Sequence, residues 1–299
     1  MSNVALMRFT ARTIACAAIV AFAACGGGVA ADSRQTSDSS TTQEADSAGA
    51  KRESAAVKVD GNIPLGAAVL LRCYPSFVKE YRDGKLEMAD GSTIVYNDGR
   101  EKSFVEKLDA ADPEDMFAFD YNMTASTPEY LQDAGRSRCE ALFKKMYGSS
   151  AAAVQKHLVS VNWFGQRLQF TNVNGAADSL RAVAAELARH PNLKKHLRSS
   201  GTFYWRKVRG AQRQSAHSYG MTIDIGVTNG GGGGDYWQWK NPGKSETAKI
   251  TYSNHMPLEV VEIFERHGFI WGGRWYHYDT MHFEYRPEIL MYEKLKNQQ

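Results

Sequence analysis

The chain has 299 residues, 43 % hydrophobic and 11 % aromatic, which suffices for a sizeable buried core and about two domains at roughly 150 residues each. A wholly disordered chain is excluded. The formal net charge is +3, and Arg8 and Arg12 of the leader carry two of those charges, so no basic field for nucleic acid is left. The longest apolar run, Thr13 to Ala24, falls short of the roughly twenty residues that cross a bilayer, and no permanent transmembrane helix is expected.

Arg8 and Arg12, the apolar run and the small residues after it form a secretory signal over residues 1–25. Phe22-Ala-Ala-Cys25-Gly26 resembles a bacterial lipobox, in which Cys25 takes a lipid anchor; cleavage near Ala30-Ala31 is the alternative. Residues 26–57 are mostly Gly, Ser, Thr, Asp and Ala and bury too little to offset their ordering entropy, so they read as a flexible tether. An exported protein of the periplasm or cell envelope, membrane-anchored if Cys25 is lipidated, is the expectation. Residues 58–165 then form an N-terminal lobe, and 166–299 carry the chemistry.

In the lobe, Lys85 to Tyr96 alternates apolar and polar residues around Asp90-Gly91, the pattern of a β-hairpin. Asp112-Pro-Glu-Asp115 caps a short helix, and Arg138 to Tyr147 has helical apolar spacing that Gly148 stops. Ala176 to Ala188 forms a further helix with Leu180, Val183, Ala184 and Leu187 as its core stripe. Gly230 to Gly234 reads as a mobile loop. Cys73 and Cys139 are the thiols of the folded part. In an oxidising compartment a bridge between them is expected, contributing about 4 kcal/mol on the chain-entropy model; two separately buried thiols are the alternative.

Five of the six tryptophans follow residue 200: Trp205, Trp237, Trp239, Trp271 and Trp275. An aromatic-walled groove or a C-terminal core would each collect them. Among them lie Ser215-Ala-His217-Ser-Tyr-Gly220-Met-Thr-Ile-Asp224 and Trp271-Gly-Gly-Arg-Trp-Tyr-His-Tyr-Asp279-Thr-Met-His282-Phe-Glu284. Two imidazoles and one carboxylate leave a tetrahedral zinc with its fourth position open, the catalytic rather than the structural arrangement.

These two segments resemble the zinc peptidases that cut peptidoglycan stems, the D-Ala-D-Ala carboxypeptidase and L-Ala-D-Glu endopeptidase family. Its pattern S-x-H-x-x-G-x-A-x-D is matched by Ser215, His217, Gly220 and Asp224, with Thr222 in place of the small Ala. The acid three residues before a histidine is matched by Asp279 and His282. The resemblance runs from about Leu168 to Glu288. It implies that His217, Asp224 and His282 bind zinc and that Asp279 is the catalytic base, which takes a proton from the attacking water and passes it to the leaving amine. It also implies an α+β fold of the Hedgehog/DD-peptidase kind, with a central antiparallel sheet, flanking helices and the extra N-terminal lobe. The partner is a peptidoglycan stem peptide, and neither nucleic acid nor a protein partner is implied.

A stem fragment carries a carboxylate that a guanidinium clamps in bidentate fashion. Arg206, Arg209 and Arg213 precede Ser215; Arg206 follows the strand-like Phe203-Tyr-Trp205, where the family carries its substrate arginine. Ser215 and Tyr219 are candidate substrate contacts, although hydroxyls more often satisfy nearby backbone. Asp279 has a plainer reading as a partner of His277 or Arg274. His255 and His267 read as structural residues within helices, His277 as a possible groove residue, and Gly272-Gly273 as a tight turn. A non-haem iron site usually places histidine and acid two residues apart, unlike His217 and Asp224. A non-catalytic wall-binding module has no need of Asp279. Which stem bond is cut stays open: terminal D-Ala-D-Ala, L-Ala-D-Glu, or a cross-bridge.

Overall fold

The computed structural model describes residues 63–227 and 234–298. The signal, Cys25, the tether and the glycine run up to Gly233 lie outside the described residues. Helix α1 (Leu65–Cys73) leads into an antiparallel meander of β1 (Val78–Arg82), β2 (Lys85–Met88) and β3 (Thr93–Val95). The β2–β3 connection is the Asp90-Gly91 turn: Gly91 takes φ 79° and the Asp90 carboxylate accepts the Ser92 amide at 3.0 Å, the local capture that makes Asp a turn residue. Helix α2 (Phe104–Asp109) starts in a reciprocal Ser103–Glu106 capping box. The helix expected after Asp112 is a single 3-10 turn, Asp115–Phe117, with Asp112 accepting the Asp115 amide at 2.9 Å.

Helix α3 (Glu140–Tyr147) stops at Gly148, and α4 (Ala151–Gln155) precedes a hairpin of β4 (Leu158–Trp163) and β5 (Gln166–Thr171). Helix α5 (Ala176–Leu187) buries Leu180, Val183 and Leu187, as its stripe requires. Then come β6 (Ser199–Gly201), β7 (Thr222–Ile225), α6 (Trp237–Lys240), α7 (Leu258–Arg266), β8 (Phe269–Trp271), β9 (His282–Tyr285) and α8 (Pro287–Lys296). Phe203–Trp205 is not a strand: Tyr204 is 66 % exposed, and the chain pairs only as an isolated Lys207–Gln214 bridge. His255 lies in the loop before α7, and His267 caps that helix and bonds Glu186 at 2.7 Å.

The architecture is α+β, with antiparallel pairing divided among three sheets rather than gathered in one: β1-β2-β3, β4-β5, and β6-β7-β9-β8. One hydrophobic cluster runs from Ala67 in α1 to Ile289 in α8. Phe117 stacks on Tyr292 with ring centroids 4.6 Å apart, so side chains of the first half pack on the last helix.

The expected disulfide is absent: Cys73 and Cys139 are both free. Cys73 ends α1 with its sulfur 3.8 Å from the Met291 sulfur, whereas Cys139 is buried as the N-cap of α3. Each is satisfied as a small apolar group in its own packing environment. Burial pushes both thiols up, Cys139 to about 11.

Candidate functional site

Strands β7 and β9 are antiparallel neighbours with Asp224 opposite His282, Ile223 opposite Phe283 and Thr222 opposite Glu284. Directly opposed residues project to the same face of a sheet, and that face recurs every second residue. The register alone therefore puts Asp224, His282 and Glu284 together while Ile223 and Phe283 fill the core beneath. His217 arrives from the 3-10 turn Ala216–Tyr219, which closes through the Gly220 amide onto the His217 carbonyl at 3.1 Å. Gly220 has φ 66°, and a Cβ there would meet the Leu158 side chain at 2.5 Å. Only glycine suits that corner.

The Asp224 carboxylate lies between the two imidazoles, with Oδ2 3.2 Å from His217 Nε2 and Oδ1 3.0 Å from His282 Nδ1. One ligand atom from each of the three falls within 4.8 Å of the others. The remaining ring nitrogens have their own partners: His217 Nδ1 is 2.7 Å from the Thr202 carbonyl, and His282 Nε2 is 3.3 Å from Glu284 Oε2. The Thr222 hydroxyl also reaches the Thr202 carbonyl, at 3.5 Å. Burial alone would raise the Asp224 carboxyl, but His217 and His282 hold it far below the usual carboxylate range. Burial works against the His282 cation, yet hydrogen bonds to Asp224 and Glu284 push it up to about 10. Two imidazoles and a carboxylate converging in this way suit a tetrahedral divalent cation with one position left open.

Asp279 stands beside this group. Burial pushes its carboxyl up to about 7, helped by the Asp224 charge and opposed by His282 and His217. Its Oδ1 is buried without a hydrogen-bond partner among the described residues. The two plainer roles for Asp279 are taken by other acids: His277 Nδ1 is 2.6 Å from Asp133, and Arg274 donates to Glu265 at 2.6 Å. Gly272 and Gly273 form the tight turn, a 3-10 element Gly272–Arg274, and the Asp279 amide donates to the Gly272 carbonyl at 2.9 Å.

A cleft of about 340 Å³ opens over these groups. His217, Asp224, Asp279 and His282 line it together with Ser215, Arg206, Arg209 and Arg213. Arg206 is exposed and its guanidinium meets only the Lys207 carbonyl, at 3.4 Å. Arg213 is engaged by Asp109. Trp239 and Trp275 wall the cleft with Tyr236, whereas Trp237 and Trp271 are core. Tyr219 does not reach it: the ring is buried beside Phe143 and Tyr147, so the expected substrate contact is a packing residue.

Arg136, Arg138 and His277 also line the cleft, and Asp133 supports Arg136 and His277. Asp133 accepts from Arg136 at 2.7 Å and from the His277 amide at 2.9 Å. Glu284 closes the second motif without a role assigned from sequence, whereas Asp133, Arg136 and Arg138 come from the first half of the chain, where no local motif marks them. A smaller cavity of about 130 Å³, bordered by Asn122, Thr127, Tyr252 and Arg274, shares no lining residue with that cleft.

Residues 209–285 match the family model described as D-alanyl-D-alanine carboxypeptidase. That segment contains His217, Asp224, Asp279 and His282, and the match supports a peptidase in general. No curated protein and no solved structure matches the chain.

Proposed function

From the match of residues 209–285 to the D-alanyl-D-alanine carboxypeptidase family, we propose that the protein is a zinc-dependent peptidase that hydrolyses peptidoglycan stem peptides, with a fold of the Hedgehog/DD-peptidase kind. The observation that carries this reading is the convergence of His217, Asp224 and His282 at the floor of a cleft, with a buried, partner-free Asp279 oxygen beside them. The binding module without turnover lacks any comparable support, since binding has no use for such a carboxylate.

His217, Asp224 and His282 would hold the zinc, which would supply Lewis-acid polarisation of the scissile carbonyl and lower the pKa of a water toward neutrality. Asp279 receives the proton of the attacking water and returns it to the leaving amine. In the metal-free site burial pushes its carboxyl up to about 7, and a group that acts as base and then acid works best with a pKa near the working pH. Arg206, exposed at the cleft wall, clamps a substrate carboxylate, and Ser215 borders the same space.

The test is digestion of purified muropeptides followed by mass spectrometry, which also identifies the bond. Zinc-loaded protein is expected to cleave, chelated protein to stop, and Asp279→Asn to retain zinc while losing about 100- to 10,000-fold in turnover. Loss of zinc in that variant makes Asp279 a ligand rather than a base.

We further propose export, with Cys25 as the lipid site and residues 26–57 as a tether spanning on the order of 30 Å by random-coil scaling. A Cys25→Ser variant is expected to leave the membrane fraction with its peptidase activity intact. A wild type that is already soluble overturns the anchor and leaves the peptidase reading standing.

A further inference from the structure

His282 uses Nδ1 toward Asp224 and leaves Nε2 pointing at Glu284, 3.3 Å away. Glu284 is fully buried. Desolvation of that kind would neutralise an isolated carboxyl. Instead, Arg138, His282 and Arg286 surround its two oxygens. Arg286 Nη1 donates to Glu284 Oε1 at 2.9 Å, and Arg138 Nη1 lies 3.4 Å from Oε2. Both guanidiniums are anchored in turn on the Gly135 carbonyl, at 2.9 and 2.8 Å. Arg286 is also bonded to Glu288, which accepts from Tyr74 of α1. Arg138, Gly135 and Tyr74 all lie outside the segment that matches the family model.

A histidine ligand offers a metal whichever nitrogen its other partner leaves free, and a carboxylate on the second nitrogen fixes both the tautomer and the ring angle. We propose that Glu284 is the positioning residue of the metal centre: it holds the Nε2 proton of His282 so that Nδ1 is presented to the metal, and Arg138 and Arg286 hold Glu284 in place. The first half of the chain thereby takes part in metal binding without supplying a ligand. This rests on the zinc reading above.

The experiment is zinc affinity by competition with a chromophoric chelator, with thermal unfolding of the metal-free forms measured alongside. Glu284→Gln removes the charge, whereas Glu284→Asp keeps the anion that the arginines need but withdraws it from His282. Both are expected to weaken zinc binding by about 10- to 100-fold. Glu288→Gln cuts the same buried network at a carboxylate that does not touch His282. It is expected to lower the unfolding temperature while zinc affinity stays at the wild-type value. Should Glu284→Gln fail to fold, Glu284→Asp against Glu288→Gln carries the comparison. Equal affinity in wild type and the Glu284 variants overturns the proposal, as does an equal loss in the Glu284 and Glu288 variants. A wild type that binds no zinc overturns this proposal and the zinc reading together, so the two failures are distinguishable.

Discussion

Gly272 and Asp279 are locked together at closer range than any side chain on Gly272 would permit. The Asp279 amide donates to the Gly272 carbonyl at 2.9 Å, and a Cβ on Gly272 would stand 2.5 Å from the Asp279 carbonyl oxygen and 3.2 Å from its Cβ. The obstacle is backbone, which has no flexible end to swing away. The glycine is therefore needed for space, and it sets where the proposed base sits.

Gly272→Ala is accordingly expected to displace Asp279 while leaving His217, Asp224 and His282 on their strands and turn. Overpacking of this kind costs about 1–3 kcal/mol of stability. Zinc content should stay near one equivalent while muropeptide turnover falls by an order of magnitude or more, since small misplacements of a reacting group are costly. Metal analysis and kinetics on one preparation check this. Full turnover would show that the Asp279 position tolerates the shift.

Arg206 gives a second expectation. Arg213 is engaged by Asp109, Arg138 by Glu284 and Arg136 by Asp133, whereas the Arg206 guanidinium touches only a backbone carbonyl at 3.4 Å. Arg206→Lys keeps the charge but loses the planar fork. The expected result is a rise in KM of about tenfold with unfolding free energy within about 0.5 kcal/mol of wild type, because the site is exposed. Unchanged kinetics would move the role to Arg209.

The His217–Asp224–His282 cluster was legible because its geometry follows from local rules. His217 to Asp224 spans a turn, a required glycine and a short strand, and Asp279 to His282 enters the partner strand; pairing the two strands brings the groups together. What was hidden depends on long-range packing. Arg138 reaches Glu284 across 146 positions and Asp133 reaches His277 across 144, with no pattern at either end to announce the contact. Tyr219 shows the same limit: two residues beyond His217 in a 3-10 turn, it points into the Phe143–Tyr147 cluster, and its hydroxyl suggested more than its ring delivers. Phe203–Trp205 has strand composition, but its neighbours offer no ladder beyond Lys207–Gln214. The cysteines misled for a related reason: two thiols in the folded part suggested a bridge, but packing does not bring them together.

Free thiols at Cys73 and Cys139 have a direct consequence. Burial pushes both up, which leaves little thiolate to react. Both are expected to resist alkylation in the native protein and to be modified fully in denaturant without prior reduction. Unfolding temperature should be the same with and without reductant. Recovery of a Cys73–Cys139 linked peptide by non-reducing mapping would contradict the packing described above.

The pH dependence of the metal-free and zinc-loaded forms should differ in sign over part of the range. Without metal, His282 is pushed up to about 10 from 6.5, so its ion pairing stabilises the fold fully below pH 6.5 and is lost as pH rises through about 10. Asp224 is held below its ordinary 3.8, so its share is present above that value and disappears on acidification. Asp279, raised to about 7, favours the protonated carboxyl, and its share fades between pH 3.8 and about 7. The metal-free protein is therefore expected to lose stability steadily above neutrality. Zinc reverses this, because the proton on His282 must leave before Nδ1 can bind. Uptake at pH 7 should release about one proton, and affinity should rise by up to about tenfold per pH unit between pH 6 and 8. Calorimetry in buffers of different ionisation enthalpy counts the proton, and chelator competition across pH gives the slope. A flat affinity would mean that His282 is already neutral before the metal arrives.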